Sequence, residues 1–258
     1  FNAPLAGKPQ LQQVHRANAV ESTAVGERTW EEVAADRVRH FACNNYIDRE
    51  IGRVIDAVER LHGDDTLIIY TSDHGDMLGA HGLRSKGPMM YEEITHVPFI
   101  VKVPGGLSGA VSDAVVSHLD VLPTMLDLAG EAIPESMHGT SLTPVLRDPD
   151  ATVRDHAFVT FHRFAVNHDD FGEFYPIRCV TDGRHKLAVN LFETDELYDL
   201  AHDPGERVNL IADPAYATTR DALHDALLAE MDRIRDPFRS YRWGHRPWRQ
   251  VREVFYHG

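Results

Sequence analysis

The sequence predicts an α/β fold over residues 1–150, followed by a small α+β unit with an antiparallel sheet over residues 151–258. Three observations carry this prediction. A helical stripe leads directly into a wholly apolar strand-like run. A second such run and a capped helix follow. Beyond residue 150, four short extended runs precede one closing helix. With 43% hydrophobic residues, the chain has enough apolar content to bury a core rather than stay disordered.

Residues 1–28, with Pro4, Gly7, Pro9 and Gly26 among many polar positions, read as a loop. Thr29-Trp30-Glu31-Glu32 has the spacing of a capping box and starts a helix. Along that helix Cys43, Ile47, Ile51, Val54, Val58 and Leu61 recur every three or four positions, a stripe that ends near His62-Gly63. Cys43 lies on the stripe and is expected to be buried and inert. Asp64-Asp65 turns the chain into Thr66-Leu67-Ile68-Ile69-Tyr70-Thr71. This run is apolar toward both faces, as in a strand of a sheet covered by helices on both sides.

Gly75, Gly79, Gly82 and Gly87 then punctuate a segment too flexible for a regular helix. A second buried strand spans residues 97–103, closed by Pro104-Gly105-Gly106. Asp120-Val121-Leu122-Pro123 opens a capped helix that stops before Gly130. Past residue 150, strands are expected at His156–Phe161, Ile177–Thr181, His185–Asn190 and Glu196–Asp199, with Asp182-Gly183 as a hairpin turn. A closing helix from Pro214 to Arg235 carries Leu223, Leu227, Met231 and Ile234 on one face.

The charge balance narrows the function. Forty acidic against 26 basic residues give a net charge of −14, which argues against a nucleic-acid binder. An anionic small molecule needs a local cation to overcome that field. No apolar run approaches the roughly 18 residues of a membrane span. With only Cys43 and Cys179 the chain is no disulfide scaffold; one bridge and two free thiols both fit. The chain opens on Phe1 with neither the basic start nor the apolar stretch of a signal peptide. It therefore reads as a fragment or as one chain of a nicked protein, and its compartment, cytoplasmic or periplasmic and secreted, stays open.

The stretch richest in chemistry is Ser72-Asp73-His74-Gly75-Asp76 through Ser85-Lys86-Gly87. Asp73 and His74 follow a strand, where ligand crevices of α/β sheets open. A carboxylate beside an imidazole offers oxygen and nitrogen to one metal ion, and Gly75 lets the backbone turn away. Lys86, on the return of the loop, can bring a point charge to an anion. As spacing alone, such a pair is more often a hydrogen-bonded surface pair than a metal site.

These residues resemble the late metal-binding signature of the sulfatase family, within the alkaline-phosphatase-like superfamily. The likeness continues in order through Met90-Tyr91-Glu92-Glu93, His96-Val97-Pro98-Phe99-Ile100 and the segment from Asp120 to Gly130. His138-Gly139-Thr140-Ser141-Leu142, Glu196-Leu197-Tyr198-Asp199-Leu200 and Asp203-Pro204-Gly205-Glu206 complete it, over about residues 40–215. The resemblance implies that residues 1–150 are the carboxyl-terminal portion of the catalytic domain, contributing part of an alkaline-phosphatase-like sheet. Asp73 and His74 are then two ligands of one divalent cation, most often calcium. The imidazole keeps manganese and magnesium in view. Lys86 is the catalytic group that contacts sulfate oxygens and offsets leaving-group charge. The implied activity is hydrolysis of small or saccharide sulfate esters. A phosphonate or phosphate ester hydrolase, or a non-catalytic anion-binding relative, are the alternatives.

Two departures matter. Sulfatases use a formylglycine made in a Cys-x-Pro-x-Arg motif, whereas Cys43 is followed by Asn44-Asn45-Tyr46 and Cys179 by Val180-Thr181-Asp182. The family's early Asp-Asp metal pair has no match before Thr29. The formylglycine and half of the metal shell are thus expected in an N-terminal half outside this chain, its principal partner.

His81, in the same loop, and His96, before the second strand, are further substrate-binding candidates, each with a structural alternative. For His81 that is a hydrogen bond, and for His96 a supporting or packing role. His118 and His138 read as loop residues without assigned chemistry, and the 16 histidines show no metal-ligand spacing. The tail Phe238 to Arg252 interleaves Arg239, Arg242, Arg246, Arg249 and Arg252 with Tyr241, Trp243 and Trp248. It is read as packing and ion pairing against the rest of the protein or a second copy in a homo-oligomer, with a place at the pocket mouth as the alternative.

Overall fold

The computed structural model describes residues 5–21, 29–162 and 175–249. Where a loop was expected, Gln10–Glu21 form helix α1. Pro9 stands just ahead of it, its carbonyl accepting the Gln12 amide at 3.1 Å, and the Gln, Leu, Arg and Ala residues that follow are good helix formers. Residues 1–4 and 22–28 of that expected loop lie outside the described residues.

Helix α2, Trp30–His62, starts on the expected capping box. Glu32 N donates to Thr29 Oγ1 at 3.3 Å and Thr29 N to Glu32 Oε2 at 2.9 Å. It ends at Gly63, whose positive φ of 59° suits glycine. The helical period of its stripe holds, but burial does not. Cys43 is exposed, and so are Ile47, Val54 and Leu61. Val33 is the one buried residue of α2 among those described, because no other described element packs extensively along the helix.

Strand β1, Ile68–Thr71, pairs antiparallel with β2, Phe99–Lys102, in the register Thr71↔Phe99. Ile68 and Ile69 are half-buried while Tyr70 and Ile100 are exposed, short of the burial on both faces that the sequence suggested. No described helix lies against this pair with more than marginal contact. Between the strands sits the one-turn helix α3, Glu92–Thr95. A 3-10 turn at His118–Asp120 leads into α4, Val121–Leu128, and α5 follows at Thr143–Arg147.

Strands β3 (Ala157–Phe161), β4 (Ile177–Thr181), β5 (His185–Asn190) and β6 (Glu196–Asp199) form an antiparallel sheet in that order. The β4–β5 turn uses Gly183 at φ 88°, a value that favours glycine. The two-residue period of a strand sorts this sheet into two faces. On one, Val180, Leu187, Val189 and Leu197 pack against Leu223, Leu227 and Met231 of α6, Ala217–Arg233. On the other, Ile177, Cys179 and Ala188 meet Met90 and Tyr175, with Leu11 of α1 at the edge. Tyr198 joins the core of the 77–94 loop, formed by Met77, Leu83, Met89, Tyr91 and Ile94. The sheet is thus the floor on which that loop rests.

A short helix α7, Tyr241–Gly244, buries Trp243 beneath α6. Beyond it Arg246 and Trp248 both bind Asp195, at 2.7 Å each, and Arg249 pairs with Asp225 at 2.5 Å. The described part of the tail therefore packs and pairs within the chain, and Arg252 lies outside the described residues.

Candidate functional site

Strand β1 delivers the chain to Thr71, and the next turn carries Asp73 and His74. Gly75 reverses the direction against α3. Its amide donates to the Ile94 carbonyl at 2.9 Å, and a Cβ at this position would fall 1.8 Å from the Glu93 carbonyl oxygen. Only glycine allows that approach. The loop then doubles back on itself. Met77 N donates to the Ser85 carbonyl and Gly79 N to the Leu83 carbonyl, both at 2.9 Å. With Met77 and Leu83 fully buried beneath, the return of the loop brings Lys86 back to His74.

His74 is the hub. Its Nδ1 lies 2.8 Å from the Gly75 carbonyl, and a carbonyl only accepts, so Nδ1 carries the proton. Nε2 is left with its lone pair, 2.5 Å from Lys86 Nζ and 3.3 Å from Asp73 Oδ2. Asp73 also accepts the His74 amide at 3.0 Å. Its carboxyl is held below the usual range: desolvation, the largest single influence, pushes upward, but His74, the backbone donors and Lys86 together outweigh it. An ionised carboxylate oxygen and a bare imidazole nitrogen side by side are the donor chemistry of a divalent-cation site. Among the described residues, no group of three or more His, Cys, Asp or Glu converges on one point, so this pair is two candidate donors and not a full shell.

Asp73, His74 and Lys86 open onto a cavity of 1320 Å³ whose lining includes His96, His118 and His138. His96 is largely exposed and its Nδ1 pairs with Glu92 Oε2 at 2.9 Å, so packing is not its role. His81 is different. It is 3% exposed, absent from the cavity lining, and stacked on Tyr91 with ring centroids 4.0 Å apart. Burial, with Lys8 nearby, lowers its pKa to about 4. The expectation that His81 binds substrate is corrected: a left-handed φ of 55° turns its ring into the core.

One residue that carried no chemistry in the sequence stands at the site. His118 Nε2 lies 3.2 Å from Thr71 Oγ1, at the end of β1. Its turn is fixed by the fully buried Asp120, which accepts the Ser117 and Thr140 amides at 2.8 Å each and pairs with Arg154. The capping-box spacing of Ser117-His118-Leu119-Asp120 was the signal that could have placed it. Neither thiol fits a nucleophile here. Cys43 lies on the exposed face of α2, and Cys179 is buried in β4 with its pKa pushed up to about 12 by burial.

Comparison with known proteins places the chain among sulfatases. The Sulfatase family model matches residues 10–131, and the model for the C-terminal part of N-sulphoglucosamine sulphohydrolase matches residues 79–233. The chain is 48% identical over 211 residues to the uncharacterised sulfatase YidJ of Escherichia coli, covering 82% of this chain and 41% of that protein. It is 32% identical over 195 residues to the N-acetylglucosamine-6-O-sulfatase of Bacteroides thetaiotaomicron, covering 74% and 34%. Among solved structures, the phosphonate monoester hydrolase of Agrobacterium radiobacter superposes with a TM-score of 0.71 at 30% identity, covering 80% of this chain and 43% of that one. A protein solved with its substrate D-glucosamine-2-N,6-O-disulfate gives 0.67 at 30% identity, covering 74% and 39%. The chain thus spans 34–41% of the length of these two curated relatives.

Proposed function

The chain belongs to the sulfatase family and has its alkaline-phosphatase-like α/β fold, and on that premise we propose that the whole protein hydrolyses sulfate esters. The observation that carries this reading is the meeting of Asp73, His74 and Lys86 at the end of β1, with His74 Nε2 2.5 Å from the ammonium and 3.3 Å from the carboxylate. Asp73 and His74 hold one divalent cation. Calcium is the first choice, with manganese and magnesium as alternatives because one donor is nitrogen. When bound, the cation polarises the ester oxygens and steadies the charge that develops on them. Lys86 now donates to the His74 lone pair. A cation held there would draw on that nitrogen, and Lys86 is the group that would contact a sulfate oxygen and offset leaving-group charge. His96 and His118 line the same cavity and are within this chain the further candidates to bind substrate. The formylglycine nucleophile comes from outside these residues, since neither cysteine here suits it.

Several relatives carry names of saccharide sulfatases, which supports a sulfated sugar as the substrate class. A second reading, a phosphonate monoester hydrolase, is favoured by the 0.71 superposition on the Agrobacterium radiobacter enzyme. Rates of the full-length protein on an aryl sulfate, a glucosamine sulfate, a phosphonate monoester and a phosphodiester decide between them. The proposal expects the sulfates to be turned over fastest. Preference for the phosphonate supports the second reading, and no turnover of any ester returns the protein to a non-catalytic anion binder.

A further inference from the structure

A buried ion cluster stands between the four-stranded sheet and the Asp73–His74 turn. Lys186 of β5 is 2% exposed; its Nζ lies 2.9 Å from Glu206 Oε1 and 2.5 Å from Glu92 Oε1, and donates to the Met90 carbonyl at 2.9 Å. Glu206 is fully buried, and its Oε2 accepts the Glu92 amide at 2.7 Å. It reaches that amide from a left-handed backbone, at φ 48°, a conformation that side chains other than glycine adopt at a cost. Lys186 on the sheet and Glu206 in the loop after β6 therefore grip α3 by the first amide of the helix, by its first side chain and by the Met90 carbonyl two residues ahead of it.

The Asp73–His74 turn leans on that same helix. Ile94 of α3 accepts the Gly75 amide at 2.9 Å, and Glu93 presents its carbonyl where a Gly75 Cβ would be. The path from the sheet to His74 is thus Lys186 and Glu206, then Glu92, then the α3 backbone, then Gly75. Glu92 also divides its carboxylate between Lys186 and the cavity residue His96. Stability does not account for such a cluster. Burying an ammonium with two carboxylates is costly, and apolar residues of like volume often serve the core as well or better. What an ion cluster adds is a fixed geometry for the groups it binds.

We infer that Lys186, Glu206 and Glu92 are positioning residues that hold the Asp73–His74 turn in place from the four-stranded sheet. The mechanical link stands on the contacts above, while its consequence for ion binding rests on the function proposed for Asp73 and His74.

Hydrogen exchange of the full-length, ion-free protein tests the link. In Glu206→Gln and Lys186→Met, the peptide covering residues 72–78 exchanges roughly tenfold faster than in the wild type, while the β4–β5 hairpin stays within about twofold. Glu92→Gln, at a half-buried position, gives the same selective loss if Lys186→Met does not fold. Unchanged exchange at 72–78, or an equal rise in every segment, overturns the inference. Calorimetric titration with Mn²⁺ separates it from the functional reading. If the wild type takes up no ion yet the variants lose protection at 72–78, the metal assignment falls and the link stands. If the wild type binds the ion and protection does not change, the reverse holds.

Discussion

Lys86 places its Nζ 2.5 Å from Nε2 of His74, an imidazole whose other nitrogen is committed to the Gly75 carbonyl at 2.8 Å. The pair is mutually oriented without being buried: Lys86 is exposed and His74 half-buried. Removing the ammonium therefore takes away charge at the site and little packing. In the full-length protein Lys86→Ala is expected to lower kcat/KM for a sulfate ester by about 10²–10³, the usual scale for one preorganised oxyanion contact. The melting temperature should stay within error of the wild type, as for most surface substitutions. Unchanged turnover would remove Lys86 from the mechanism.

The Arg178–Asp236 pair is the opposite case. Both side chains are nearly inaccessible, at 3% and 2% exposure, and the guanidinium makes bonds of 2.5 and 2.9 Å to the two carboxylate oxygens. It also lies 5.2 Å from the Phe238 ring and 5.6 Å from that of Trp243. Asp236→Ala leaves the cation buried without its partner and should cost about 3–5 kcal/mol in urea unfolding. The double variant Asp236→Ala with Arg178→Met, which removes the stranded charge, should recover much of that loss. If the double variant is as unstable as the single one, the pair is not what holds the tail to the sheet.

Two buried histidines set an acid limit. His224 donates from Nε2 to the Trp243 carbonyl at 2.7 Å, and its Nδ1 accepts from Arg249 at 2.5 Å. Burial above all, helped by Arg249 and opposed by the Trp243 carbonyl, lowers its pKa to about 4; burial and Lys8 do the same for His81. The unfolded chain takes up these protons near pH 6.5, so stability is present above that pH and is lost as pH falls towards 4. Each ring accounts for roughly 2–3 kcal/mol of that loss. Glu206, raised to about 7 by burial, acts in the other direction: its contribution is present below its unfolded value and lost as pH rises through 7. Urea unfolding of the wild type and His224→Gln at pH 7 and pH 4.5 isolates one ring. The variant should show the smaller drop, and equal drops would contradict the assignment.

The sequence revealed what local period encodes. Three of the four strands of the antiparallel sheet carry the expected limits, because their alternation is sharp and Asp182-Gly183 fixes the turn. The Asp73-His74 and Lys86 cluster was legible because one loop holds it together. Cys43 was not legible: a helical stripe says which residues share a face, and nothing about what covers that face. His81 was misplaced because a left-handed backbone at a single position reverses a side chain, and no spacing rule carries that information. His118 lies 47 positions from Thr71, and only the folded packing of its turn brings the two within 3.2 Å. Lys186 lies in the β4–β5 hairpin, and only the folded packing places it opposite Glu92 and Glu206.

Diffraction from crystals of the full-length protein grown with Mn²⁺ tests the central claim most directly. The account predicts one anomalous peak at bonding distance, about 2.0–2.6 Å, from both a carboxylate oxygen of Asp73 and Nε2 of His74. Side chains that diverge at these two positions, with no ion-sized density between them, would contradict it.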